Sequence, residues 1–269
     1  MSMKLKKKSV VKPWGQFDLP KLFGGKSKKQ IGEIWFEPPE AISLGLMIKY
    51  LFTSEKLSIQ VHPNDRFARR QGLPHGKEEC WYVLDAKPDA VLGIGLVKDV
   101  SPTKLRTAAM LGEIEQLVDW KPVQAGDFFY IPAGTIHAIG PGISLVEVQQ
   151  NVDITYRLYD YGRPRELHLD DGIAVANRSG YDMSYHQQVD PSQSSVLVDG
   201  PHFRVFHVVG DGFDELTHVA ATEWQVVPLE GRVKVRDLDI AASECGVCPR
   251  ITDIDLSKNV RSIIACNMK

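Results

Sequence analysis

The stretch LSIQVHPND, from Leu57 to Asp65, alternates like a strand: Leu57, Ile59 and Val61 are apolar, and Ser58, Gln60 and His62 lie between them. Side chains two apart on a strand project from one face, roughly 6 to 7 Å apart, which suits two ligands converging on one ion. A second ligand-type residue opens GKEECWYVL, where Lys77, Glu79 and Trp81 share a face. A carboxylate leading into a buried strand is costly unless it is paired or metal-bound; otherwise Glu79 is a strand-end charge reaching solvent. A third is His137 in GDFFYIPAGTIHAIG, which fits G-x5-P-x-G-x2-H from Gly126 through Pro132 and Gly134. Those glycines and the proline describe a strand, a tight turn and a second strand that delivers a histidine to an interior. Two imidazoles, a carboxylate and an amide oxygen leave a divalent ion with net positive charge, a better Lewis acid than one held by several thiolates. Manganese, cobalt and iron stay open on ligand type alone.

Elements able to position these groups are short. Strand-like runs cover Leu44 to Phe52, Leu57 to His62, Glu79 to Leu84, Ala90 to Val97, Asp127 to Ile131 and Ser144 to Gln149, punctuated by Gly, Pro and Asn, which predicts an antiparallel sandwich or barrel. One helix is expected in SPTKLRTAAMLG, with Ser101 as N-cap, Pro102 at the first helical position and Gly112 as the stop. A second is expected from Leu169 to Asn177. DPSQSS, from Asp190 to Ser195, reads as a linker, after which HFRVFHVV and EWQVVPL are strands and Glu230-Gly231 a turn into RVKV.

The chain has 269 residues, 43% hydrophobic and 25% charged, the make-up of an ordinary soluble globular protein with an ample core. Its formal net charge of -2 gives no support for nucleic-acid or membrane binding, and no apolar run approaches a membrane span. The lysine-rich start, MSMKLKKKSVVK, lacks the apolar stretch of a secretory signal and reads as a solvated tail before a first strand. Four scattered cysteines make no disulfide framework, and the lone CxxC of Cys245 and Cys248 has no second ligand pair, so it is read as structural. A cytoplasmic location is the default expectation. GGKS, from Gly24 to Ser27, lacks the first glycine of a P-loop, and GIG, from Gly93 to Gly95, lacks the rest of a dinucleotide fingerprint.

The motif ending at His137 resembles the second motif of the cupin family. With LSIQVHPND, GKEECWYVL and EVQQNVDITYRLYDYGR, the chain resembles the type I mannose-6-phosphate isomerases, from KPWG at Lys12 to GRPRELH at His168. The resemblance implies a mainly β fold, a cupin-type β-barrel (jelly roll) with a few helices over residues 1–189. A smaller cupin-like β-unit without a metal follows over residues 196–269. It implies one zinc per chain on Gln60, His62, Glu79 and His137. The implied activity is interconversion of D-mannose 6-phosphate and D-fructose 6-phosphate through an enediolate, which needs a base, an acid, an oxyanion stabiliser and a phosphate anchor.

Carried over by position, Arg157 is the active-site arginine, while Glu147, Lys77 and Asp153 are candidates for moving protons. Ser58 and Lys49 are expected to hold phosphate or assist ring opening. Each has a plainer reading: Glu147 in a salt bridge with Arg157 or a lysine, Lys49 as an edge-strand gatekeeper, Lys77 as a loop charge, Asp153 as a turn cap. The pattern departs from the family at Val152, where many relatives have serine, and at Gly76, where longer relatives have a histidine, although His75 is adjacent. His207 alone in VFHVV is expected to pack. Two other functions stay open: a cupin isomerase for another sugar phosphate, and a non-catalytic sugar-binding or regulatory cupin.

Overall fold

The computed structural model describes residues 1–268. Strands dominate and form three antiparallel sheets. A seven-stranded sheet runs in the order His186–Gln188, Asp127–Ile131, Glu79–Ala86, Ile143–Gln150, Leu46–Phe52, Lys26–Glu37, Lys6–Asp18. A five-stranded sheet runs Tyr156–Tyr159, Ile59–Val61, His137–Ile139, Val91–Leu96, Val118–Pro122. These are the two walls of a cupin-type jelly roll, as the resemblance implied.

Alternation along the seven-stranded sheet explains why Ile143–Gln150 is buried at every position. Leu51, Trp81, Val83, Phe129 and Leu145 point to the jelly-roll interior, where they meet Leu92, Ile94 and Ile139 from the opposite wall. Ile48, Tyr50, Phe52, Cys80, Tyr82, Val146 and Val148 point the other way. They pack on Phe203, Val205, Val227, Ile263 and Ala265 of an eight-stranded sheet, seven of whose strands come from the last third of the chain. A sheet buried on both faces reads as a continuous apolar run, so its few charged residues stand out.

The C-terminal sheet grips the strand that carries Lys49. Glu223 accepts from the backbone N–H groups of Gly45 and Leu46 at 2.6 and 3.1 Å, and Gln225 Nε2 donates to the Leu46 carbonyl at 2.9 Å. His207 is buried and stacks on Tyr82, with ring centroids 5.9 Å apart, so it packs as expected.

The expected helix forms over Pro102–Leu111; the Ser101 side chain accepts from the Lys104 N–H at 3.2 Å, and Gly112 closes it in the left-handed conformation. The second covers Leu169–Val175. A third, Asp65–Arg70, capped by Asn64, follows Pro63 directly and was not expected.

Two expectations are corrected. The lysine-rich start is not a tail: Met3–Lys4 pairs with Gly246–Cys248, and Lys6–Asp18 forms the sheet edge. Solvent still bathes Lys6, Lys7 and Lys8, which is why their charge is tolerated. Glu230-Gly231 is not a hairpin turn either. One strand runs through it, Trp224–Val235, and register shifts at Glu230 and Gly231 bend it from one partner set to another. All four cysteines are buried free thiols; burial pushes the Cys248 thiol up to about 12, in keeping with a structural role. Among the described residues no helix is long and apolar enough to cross a membrane.

Candidate metal centre and active-site cavity

His137 is delivered by the turn the motif foretold. Gly134 adopts φ +88°, which a side chain would strain, and its N–H donates to the His62 carbonyl at 2.8 Å, tying the two histidine-bearing segments together. In the five-stranded sheet, His137 and Arg157 both stand in register with Gln60, from opposite sides. Glu79 opens Glu79–Ala86 on the facing sheet, level with Gln149.

Ligating atoms of His62, Glu79 and His137 all lie within 4.8 Å of one another, and all three residues are buried. Glu79 Oε2 is 3.4 Å from His62 Nε2, and Glu79 Oε1 is 3.4 Å from His137 Nε2. Both imidazoles are held from behind. His62 Nδ1 donates to the Ile154 carbonyl at 2.8 Å and His137 Nδ1 to the Thr135 carbonyl at 2.9 Å. A carbonyl only accepts, so each proton resides on Nδ1 and each Nε2 lone pair faces the carboxylate. Burial, with Lys77 next, holds the His62 pKa down to about 3, and burial lowers that of His137. Both rings are therefore neutral, the state a metal requires.

Gln60 stands beside the cluster. Its Nε2 is 3.2 Å from His137 Nε2, and its Oε1 accepts from Ser58 Oγ at 3.1 Å. Turning the amide over would present the oxygen instead, and the Ser58 hydroxyl, able to donate or accept, satisfies either orientation.

The donors fit a divalent ion. Glu79 Oε2 is buried without a hydrogen bond of proper angle, and the cation nearest it is the Lys77 ammonium, 2.8 Å away and 3.1 Å from His62 Nε2. An ammonium drawn into that position marks where these lone pairs converge on positive charge. Burial raises the Glu79 pKa, but the charges around it, the Lys77 ammonium foremost, outweigh it and keep the carboxyl well below its usual range.

The cluster adjoins a cavity of about 350 Å³. Lys49, Ser58, Gln60, Lys77, Glu79, Glu147, Asp153 and Arg157 all line it, whereas His62 and His137 stand behind its surface. Lys49 and Glu147 are direct cross-strand partners, with Nζ and Oε1 2.9 Å apart. Lys77 Nζ lies 3.8 Å from the same oxygen. Burial raises the Glu147 pKa, as does the Glu79 charge, against the pull of the two lysines. Burial lowers and its carboxylate neighbours raise the pKa of Lys49, and the neighbours win.

The plainer readings fare unevenly. Lys49 is on an interior strand, flanked by Ile143–Gln150 and Lys26–Glu37, so it is no edge gatekeeper. Lys77 and Glu79 are 6% and 1% exposed, so neither reaches solvent. Glu147 does pair with a lysine, but inside the cavity. Arg157 is half-buried, donates to the Glu166 carbonyl at 2.9 Å and keeps its Nε without a partner. Asp153 is exposed at the cavity rim. His75 bonds the Gly76 carbonyl and takes no part in the lining.

Several lining residues escaped the sequence reading: Glu33, Trp35 and Gln149. Glu33 had one signal, a charge amid the buried run Ile31 to Ile34.

No family model matches the chain. Over an alignment of 191 positions that covers 65% of the chain, it is 37% identical to mannose-6-phosphate isomerase ManA of Bacillus subtilis (strain 168), of which the match spans 60%. The chain thus matches less than two thirds of that relative's length. The crystal structure of the mannose 6-phosphate isomerase from Bacillus subtilis superposes with a TM-score of 0.78 at 25% identity, covering 98% of this chain and 99% of that one. A zinc-bound mannose 6-phosphate isomerase superposes with a TM-score of 0.72, covering the full length of both chains; at 13% identity this likeness concerns the fold. In sequence over 65% of its length, and in cupin fold, the chain is similar to the mannose-6-phosphate isomerases.

Proposed function

We propose that the chain is a metal-dependent aldose–ketose isomerase interconverting D-mannose 6-phosphate and D-fructose 6-phosphate. One observation carries this reading: Glu79 of the His62–Glu79–His137 cluster and a second buried carboxylate, Glu147, line one cavity sized for a small ligand.

His62, Glu79 and His137, with the Gln60 oxygen as fourth donor, would hold one zinc. A zinc there supplies Lewis-acid polarisation of the substrate carbonyl. Glu147 is suited to move the proton between adjacent carbons, because burial and then Glu79 raise its proton affinity. Lys77 and Asp153 are the other candidates for proton transfer; Lys77 is engaged with Glu79, and Asp153 is at the wet rim. Arg157, in register with Gln60, is placed to hold developing oxyanion charge by parallel hydrogen bonds. Ser58 and Lys49 are assigned to the substrate-holding wall.

We assign residues 1–189 as the catalytic unit and 196–269 as a metal-free β-unit that braces the strand bearing Lys49. Four free thiols suit a reducing compartment, and we place the protein in the cytoplasm, acting on a small sugar phosphate without nucleic-acid or membrane partners.

The test is a coupled assay on the zinc-loaded protein with mannose 6-phosphate beside glucose, ribose and arabinose phosphates. Turnover fastest on mannose 6-phosphate supports the assignment. Faster turnover of another aldose phosphate reassigns the substrate, and tight sugar binding without turnover makes the protein a binder.

A further inference from the structure

Glu33 enters none of the steps above, yet it is 5% exposed and faces the same cavity as Lys49 and Glu147. It is carried by Lys26–Glu37, in register with Leu51, while Trp35 on the same strand stands opposite Lys49. Its Oε2 accepts from Trp35 Nε1 at 2.6 Å and lies 3.3 Å from Lys12 Nζ. Its Oε1 is 4.0 Å from Lys49 Nζ, and its strand and that of Glu147 flank the Lys49 strand on opposite sides.

The charges alternate in an unbroken row. Lys12 neighbours Glu33, Glu33 neighbours Lys49, Lys49 is 2.9 Å from Glu147, Glu147 is 3.8 Å from Lys77, and Lys77 is 2.8 Å from Glu79. Within this row Lys49 is shared by two carboxylates of different character. Glu33 is fixed from behind by an indole N–H and a half-buried lysine, and the lysines with Trp35 keep it ionised against the effect of burial. Glu147 has no such backing, and its Oε1 lacks a hydrogen bond of proper angle.

We propose that Glu33 is a positioning residue that shares the Lys49 ammonium with Glu147 and so weakens the hold of that charge on the carboxylate that must exchange a proton with substrate. Without it, Lys49 bears on Glu147 without a competing carboxylate and lowers that group's affinity for the proton it must carry. Attraction between buried charges is weakly screened, so Glu33 at 4.0 Å still competes for Lys49 although Glu147 at 2.9 Å holds it closer. The inference rests on the isomerase reading above.

Wild-type protein, Glu33→Gln and Trp35→Phe are compared, zinc-loaded, in one mannose 6-phosphate assay. Glu33→Gln keeps the shape and an acceptor for the indole but removes the charge; kcat is expected to fall about tenfold or more with KM within about threefold. Trp35→Phe frees Glu33 from its anchor and should lower kcat in the same sense by a smaller factor; it decides the matter if Glu33→Gln fails to fold. An unchanged kcat in the folded variants overturns the proposal, as does a raised KM at constant kcat, which would make Glu33 a substrate contact. An inactive wild type would instead sink the isomerase reading, whereas an active wild type with unaffected variants sinks this inference alone.

Discussion

Lys49 and Glu147 face each other across neighbouring antiparallel strands, 2.9 Å from Nζ to Oε1, on a sheet packed largely with apolar side chains on both faces. A lysine and a glutamate in such a place are costly to desolvate, and each is tolerated because the other is there.

Breaking that pair from one side should therefore hurt more than removing both. Lys49→Met leaves Glu147 buried with only Lys77, at 3.8 Å, as a close cation, and should cost about 3–5 kcal/mol in urea unfolding. The double variant Lys49→Met with Glu147→Leu should recover much of that loss while remaining inactive. Additive losses would show that the two groups are not energetically coupled.

Acid should destabilise the chelated protein from the histidine side. His62 has its pKa lowered from 6.5 to about 3 by burial and Lys77, so the unfolded chain binds a proton that the folded chain refuses between those values. Stability is then complete above about pH 6.5 and declines as pH falls toward 3, with a slope up to about 1.4 kcal/mol per pH unit for this one group. Urea midpoints from pH 7.5 to 4.5 measure it. His62→Phe should flatten the slope, and an unaltered slope would show that His62 is not the group responsible.

Arg157 is expected to act through its planar guanidinium. Arg157→Ala should lower kcat by about a hundredfold, and Arg157→Lys should restore little, since an ammonium cannot make parallel hydrogen bonds. Near-normal turnover in the alanine variant would remove Arg157 from the mechanism.

The helix cap is a control far from the chemistry. Ser101→Ala removes the acceptor for the Lys104 N–H and should cost about 1 kcal/mol by urea unfolding with kcat and KM unchanged.

What could be read from the chain alone followed the range of the interactions concerned. Ser101, Pro102 and Gly112 act on their own helix, so Pro102–Leu111 was legible to its ends. His62 and Gln60 share a face by strand period, and the glycine turn before His137 is a local device, so these groups announced themselves. Glu33 did not, because its meaning comes from Lys49, sixteen positions later and on the next strand. The bend at Glu230-Gly231 looks like a turn in sequence; only its pairing with Asn259–Asn267 makes it a bulge. Met3–Lys4 likewise became a strand through partners near Gly246.

Bound metal measured together with turnover addresses the whole account. Purified protein is stripped with chelator, titrated with zinc, and analysed for metal per chain and for mannose 6-phosphate isomerisation at each point. The account predicts that activity vanishes on stripping, returns in proportion to zinc and saturates near about one ion per chain, with Glu79→Ala binding far less. Full turnover by protein retaining less than about a tenth of an ion per chain would contradict it.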